Sequence, residues 1–170
     1  MCPEKPIAKR ISFKQSLRRV AAPRLRQFGY ELIDLPASVG IGLLFFRKRL
    51  FGEIYGFVSF GLRRWHPPPP DAPPWPRSFN VVLWRNRGDL PRVGHGSGEG
   101  FYENWLQMPL GQLLWMVLHV KVYSWQYHEW KFSTPEELEA QLQDAVETLV
   151  GYGLLWLEDP ASGNPYPSWP

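Results

Sequence analysis

Two kinds of periodicity organise this chain. Between Ile41 and Arg64 the sequence IGLLFFRKRLFGEIYGFVSFGLRR holds two runs rich in aromatic and branched residues. Such residues fit a pleated, half-buried surface, and the interruption at Arg47, Lys48, Arg49 and Gly52 predicts the turn of a hairpin. In the second run Ile54, Val58, Phe60 and Leu62 share one parity with Gly56, while Tyr55, Phe57, Ser59 and Arg63 take the other. A two-residue period sends these sets to opposite faces of a strand, one a core face and the other mixed. A lone hairpin is marginal in water, so further strands or helices must cover it.

The flanking chain supplies both. Ser12 and Gln15 stand at capping-box spacing, and Phe13, Leu17, Val20, Ala21, Leu25 and Phe28 recur at helical spacing up to a natural stop at Gly29. Pro23 falls inside this pattern and predicts a kink near Val20–Ala22 or two abutting helices, because its ring denies the preceding turn a hydrogen bond. Tyr30–Leu35 reads as a short strand ended by Pro36. After the hairpin, WHPPPPDAPPWPR (Trp65–Arg77) is too proline-dense for a helix or an inner strand and must be extended, largely polyproline II. Ser78–Arg85 resumes as a strand, and Asn86–Gly100 reads as a second long loop.

Pro109–Trp125 fits two periods at once. Leu110, Leu113, Leu114, Val117 and Leu118 suit a helix, whereas Leu118, Val120 and Val122 alternate with His119, Lys121 and Tyr123 as in a strand. A short turn or helix leading into a strand near Val117–Trp125 is expected. The last helix is the clearest element: Thr134 caps it, Pro135 takes its first position and Glu137 completes a capping box. Leu138, Leu142, Ala145, Val146 and Leu149 form its apolar stripe, with Gly151 or Gly153 expected to end it. Leu154–Leu157 returns as apolar chain, before an irregular tail over 158–170.

Consecutive strands without crossover helices imply an α+β fold: an antiparallel sheet of about four to five strands with N- and C-terminal helices packed on one face. The expected organisation is one domain over 1–170, with a flexible N-terminal arm at 1–11, a Pro-rich loop at 65–77 and a Gly-rich loop at 86–100.

This order of motifs resembles a family of uncharacterised bacterial domains, the domain of unknown function numbered 4304. The resemblance rests on the opening helix closing at Gly29–Tyr30, the strand end Phe46–Arg47 and the tryptophan segment with Trp125 and Trp130. The capped helix and YGLLWLE (Tyr152–Glu158) complete it. It implies the same fold and carries over no functional residue.

Composition refines this picture. The chain of 170 residues is 44% hydrophobic and 15% aromatic with nine Trp, which is enough apolar material for a core. Cys2 is the only cysteine, so neither an intrachain disulfide nor a multi-cysteine metal site is expected. Met1–Gln15 lacks an apolar signal core, and Leu113–Val120 is too short to span a bilayer, so a cytoplasmic protein with no membrane partner is expected. Net charge is a modest +3. Cations from Lys5 to Arg26 crowd the start and acids from Glu136 to Asp159 crowd the end, which predicts two oppositely charged elements lying side by side.

Candidate chemistry is sparse. In GHGSGEG (Gly94–Gly100), Ser97 lacks the flanking glycines of a nucleophile elbow, and the glycines match neither a dinucleotide nor a Walker loop. A hydrolase using His95 and Ser97 is therefore the least favoured class, and a loop tip is the plainer reading. His119, His128 and Glu129 lack the spacing that would enforce a metal site. P-x-x-P spacings at Pro67–Pro70 and Pro73–Pro76 suit groove-binding modules, though a stiff loop suffices to explain them. Arg47, Lys48, Arg49, Arg63, Arg64, Trp84, Arg85 and Arg87 offer phosphate and stacking contacts to a nucleic acid, without any nucleic-acid-binding motif.

The leading expectation is a non-enzymatic protein-protein interaction module with an unidentified protein partner. Its candidate surface draws on Trp65, Trp75, Trp84, Arg47, Arg49, Arg63 and Arg64, since interfaces favour aromatics and arginine. A nucleic-acid-binding protein using the basic N-terminal helix and these arginines is the alternative. No catalytic residue, cofactor or metal is assigned.

Overall fold

The computed structural model describes residues 12–35, 43–63, 77–91, 106–120 and 129–162. The predicted hairpin is present as β2 (Leu43–Phe51) and β3 (Ile54–Arg63), antiparallel from Leu43 opposite Gly61 to Arg49 opposite Tyr55. Its turn lies later than expected. Arg47, Lys48 and Arg49 continue the strand, and the chain reverses at Gly52–Glu53, where Gly52 adopts φ 53°. A register shift between Arg49 and Phe51 precedes the turn, and Arg49 Nε donates to the Gly52 carbonyl at 2.7 Å. Long cations can continue an amphipathic strand because their stems lie along it while their charges reach partners.

β3 pairs over its whole length with β4 (Arg77–Arg87), from Ile54 opposite Arg87 to Arg63 opposite Ser78. β4 thus runs two residues past the expected strand end at Arg85. Asn86 then shapes the exit, its side-chain amide donating to the carbonyls of Arg87, Gly88 and Leu90. β1 (Glu31–Ile33) adds to the free edge of β2, and β5 (Leu106–Pro109) and β6 (Trp130–Phe132) share the other edge of β4. Among the described residues the sheet has six antiparallel strands, one more than the upper expectation. β5 and β6, four and three residues long, give no periodic signal.

The helices among the described residues pack on one face, as expected for this α+β fold. α1 (Phe13–Arg26) buries Ser16, Leu17, Ala21 and Leu25, and Ser12 Oγ accepts the Gln15 backbone N–H at 3.4 Å. One helix passes through Pro23, so the two-helix alternative falls; the ring sits on the exposed side and costs the Arg19 carbonyl its usual partner. Gly29 at φ 82° ends α1, with the Gly29 N–H bonded to the Arg26 carbonyl and the Tyr30 N–H to Leu25. This is the double bond of a Schellman stop. α3 (Pro135–Thr148) carries the predicted capping box between Thr134 and Glu137 and buries Leu138, Leu142, Ala145 and Val146.

Two expectations are corrected on this side of the sheet. Gly151 and Gly153 do not end the C-terminal helix. The chain widens into a π-helical turn over Leu149–Gly153 and continues as α4 (Leu154–Glu158), so Glu158 is helical and the tail begins later than expected. Gly153 is crowded rather than flexible: an added Cβ would lie 2.8 Å from a Leu149 methyl and 3.0 Å from one of Leu110. Likewise, no strand begins at Val117, because α2 (Leu110–Gln112) runs into a π-helical turn over Leu113–Val117 that buries Leu110, Leu113 and Leu114. Helical spacing prevailed there because those three leucines pack on the core; 121–128 lies outside the described residues.

The main core joins α1, α2, α3 and α4 to Phe46, Val58, Phe60, Phe79, Val81 and Leu83. Phe79 is its hub, with ring centroids 5.5 Å from Phe13, 6.3 Å from Phe60, 5.6 Å from Trp130 and 6.3 Å from Phe132. The opposite parity forms a second cluster of Phe45, Phe57, Val82 and Trp84. Replacing fully buried Leu142 by Ala should destabilise the fold by about 2–4 kcal/mol. Exposed Gln143→Ala should stay within about 0.5 kcal/mol, and equal losses in chemical denaturation would show the helical face to be misassigned.

Candidate functional site

The strand parity decides where the sequence-derived surface residues go. Arg47, Phe57 and Trp84 stand opposite one another across β2, β3 and β4, as do Arg49, Tyr55 and Asn86 in the next row of that face. Trp84 is not offered to solvent. It is 5% exposed, its indole N–H donates to Ser59 Oγ at 2.7 Å, and its ring lies 6.0 Å from Phe45. Arg47 lies over the Tyr55 ring at 5.9 Å and donates to the Asp89 carbonyl at 3.0 Å, while Arg49 is exposed beyond it. Arg63 ends β3 opposite Ser78, and Trp65, Trp75 and Arg64 lie outside the described residues. Of the seven expected surface residues, the structure therefore brings Arg47, Arg49 and Trp84 onto one sheet face.

The basic opening helix turns its charge inward on the molecule. Arg24 makes a two-pronged contact with Glu147 of α3 at 3.1 and 3.3 Å, Arg19 pairs with Glu139, and Lys14 and Arg18 lie 3.7 and 3.6 Å from Asp34. The opposite charges at the two ends of the sequence thus face each other across α1 and α3. Exposed pairs of this kind contribute about 0–1 kcal/mol each, so they guide packing more than they stabilise it.

A denser polar group gathers where α4 ends against the sheet. Lys48 crosses from β2 to Glu158 at 2.9 Å and lies 5.5 Å from the centroid of the Tyr30 ring. The Tyr30 hydroxyl is buried with no partner in hydrogen-bonding geometry among the described residues. Burial first, and then the negative Glu158, push its ionisation well above the ordinary tyrosine range. Arg85, buried on the same face, donates to the carbonyls of Leu157 at 3.3 Å and Asp159 at 2.9 Å, and to Ser162. Burial lowers its ionisation from the ordinary value, opposed by Asp159. These cations satisfy a helix C-terminus.

The remaining feature lies in the stretch whose sequence fits helix and strand periods alike. Trp115, Met116, Val117 and Leu118, at the end of the π-helical turn, are 36–51% exposed. Four successive residues point in several directions around a helix, so this is an apolar knuckle rather than one side of an amphipathic helix. The knuckle ends on His119 at φ 53°, with the Val120 N–H bonded to the Leu114 carbonyl at 2.8 Å and the Leu118 N–H to Leu113 at 3.0 Å. His119 thus holds a left-handed stop position that glycine usually takes. The uncharged stretch from Leu106 to Leu118 was the only sequence signal, and burial explained it equally well.

The other chemical candidates do not assemble. Glu129 accepts a hydrogen bond from Ser78 Oγ at 2.9 Å, His119 is exposed, and His95, Ser97, His128 and Cys2 lie outside the described residues. Among the described residues no three His, Cys, Asp or Glu side chains are grouped to hold a metal ion, and no helix is long and apolar enough to cross a membrane. No protein-family model, curated protein or solved structure matches the chain, so the resemblance to the uncharacterised bacterial family is neither supported nor opposed by comparison.

Two outcomes follow from this geometry. The raised Tyr30 ionisation means the fold favours the neutral phenol, so its contribution is intact below about pH 10 and is lost as pH rises above that. Tyr30→Phe should cost less than about 1 kcal/mol at neutral pH, since the hydroxyl beside Glu158 makes no well-formed hydrogen bond, and should flatten the alkaline fall in denaturation midpoint. His119→Gly should raise stability by about 0.5–1 kcal/mol in chemical denaturation by relieving the left-handed backbone. A loss would mean that the imidazole makes a contact outweighing that strain.

Proposed function

We propose that this chain is a non-enzymatic, cytoplasmic protein-binding module whose contact element is the knuckle Trp115–Leu118. The observation that carries the reading is the exposure of these four large apolar side chains in succession. Soluble proteins rarely leave such groups together in water unless a partner covers them, and Trp and Met are enriched in interface cores. Tyr152 and Leu155, 43% and 71% exposed on the last helical segment, add apolar area to the same molecule. On this reading Arg18, Arg19 and Arg24 serve Asp34, Glu139 and Glu147 within the molecule rather than a nucleic acid.

The test compares quantitative affinity capture by the wild-type chain and by Trp115→Ala with Leu118→Ala, alongside the charge variant in which Arg18, Arg19 and Arg24 become Gln. The apolar double variant should lose about 30-fold or more in affinity for its captured protein, the scale of a hot-spot residue, with its denaturation midpoint little changed. The charge variant should bind as the wild type does. Micromolar binding to DNA or RNA that persists at physiological salt, and disappears in the charge variant, would replace this reading with the nucleic-acid one.

A further inference from the structure

We propose that residues 154–162 form a strap that opens as one unit about the π-helical turn Leu149–Gly153, with Arg85 as its clasp. α4 has five residues, far too few to hold a helix by its own hydrogen bonds, so its order depends on what it docks against. Leu154 and Leu157 supply the apolar part of that docking. No backbone hydrogen bond joins the strap to the sheet among the described residues. The polar part comes from two sheet cations. Arg85 binds the carbonyls of Leu157 and Asp159 and both oxygens of Ser162, and Lys48 holds Glu158.

The strap is pre-shaped at both ends. Its far end is a closed turn in which the Ala161 N–H donates to Asp159 Oδ1 at 2.8 Å and the Ser162 N–H to the Asp159 carbonyl at 3.0 Å. Its near end is a widened helical turn, a geometry that tends to mark bends and functional hinges. Gly151 has open space around it, whereas Gly153 is pinned against Leu110 and Leu149. Rotation therefore belongs at Gly151, while the crowding at Gly153 defines the closed position. A Leu157 methyl lies 3.3 Å from the site of a Cβ on Gly56, so opening uncovers an apolar floor at Gly56 flanked by the Lys48 and Arg85 cations.

The test is native-state hydrogen exchange on the full chain across low denaturant concentrations. In the wild type, amides of 154–158 should exchange through an opening with a smaller denaturant dependence than amides of β3 and β4, because less surface is exposed. Arg85→Gln should speed exchange of 154–162 by on the order of tenfold or more and leave β3 and β4 unchanged, as expected for loss of charged hydrogen bonds. The strap is refuted if its wild-type amides exchange only by the opening that frees β3 and β4, a result that stands even if Arg85→Gln fails to fold. Unchanged strap exchange in folded Arg85→Gln would refute the clasp.

Discussion

The contacts of Phe79 are the constraint on which the rest of the structure depends. Its ring meets Phe13 of α1, Phe60 of β3 and both Trp130 and Phe132 of β6. Trp130 in turn donates its indole N–H to Asp144 of α3 at 2.8 Å. One side chain on β4 thereby joins the first helix, the hairpin, a short late strand and the capped helix. Close-packed interiors transmit such a constraint, since a void at the centre is felt by every neighbour. The orientation of α3 on the sheet, and so the approach of α4 to Arg85, follows from it.

Much of this fold was legible because it is written in local pattern. The alternation of Val58 and Phe60 against Tyr55 and Phe57 separates the two faces of β3, of which the one read as mixed carries a second apolar cluster. Thr134 with Glu137, and Gly29 after an apolar stripe, state where helices begin and end with no tertiary information. The charge segregation between the chain's two ends also found its expected form in Arg24–Glu147 and Arg19–Glu139.

What stayed hidden depends on partners distant in sequence. Lys48 looked like part of a turn because its partner Glu158 belongs to the last helix. Gly153 looked like a helix stop, whereas it is a notch that admits Leu110 from another element. β6 is three residues whose strand character comes from pairing with Arg77–Phe79. As for the candidate site, Arg47 and Arg49 read as a turn, so neither their common strand face nor the burial of Trp84 against Ser59 was legible. The knuckle at Trp115 was invisible for the opposite reason. Hydrophobicity predicts burial, and only the packed structure distinguishes Leu113 and Leu114, which are inside, from the four residues after them.

The division of one edge of β4 between β5 and β6 has a consequence for how the protein is made. The hairpin and β4 are successive strands whose pairings are closer in sequence than that of β4 with β6, and so form earlier. The stretch Arg77–Phe79 has no partner on its other edge until Trp130–Phe132 has been synthesised and brought back. During that interval a nascent chain presents an apolar strand with open backbone groups, the kind of template on which intermolecular pairing begins. The aromatic cluster around Phe79 closes that vulnerable edge, and its assembly is a late, order-sensitive step in biogenesis.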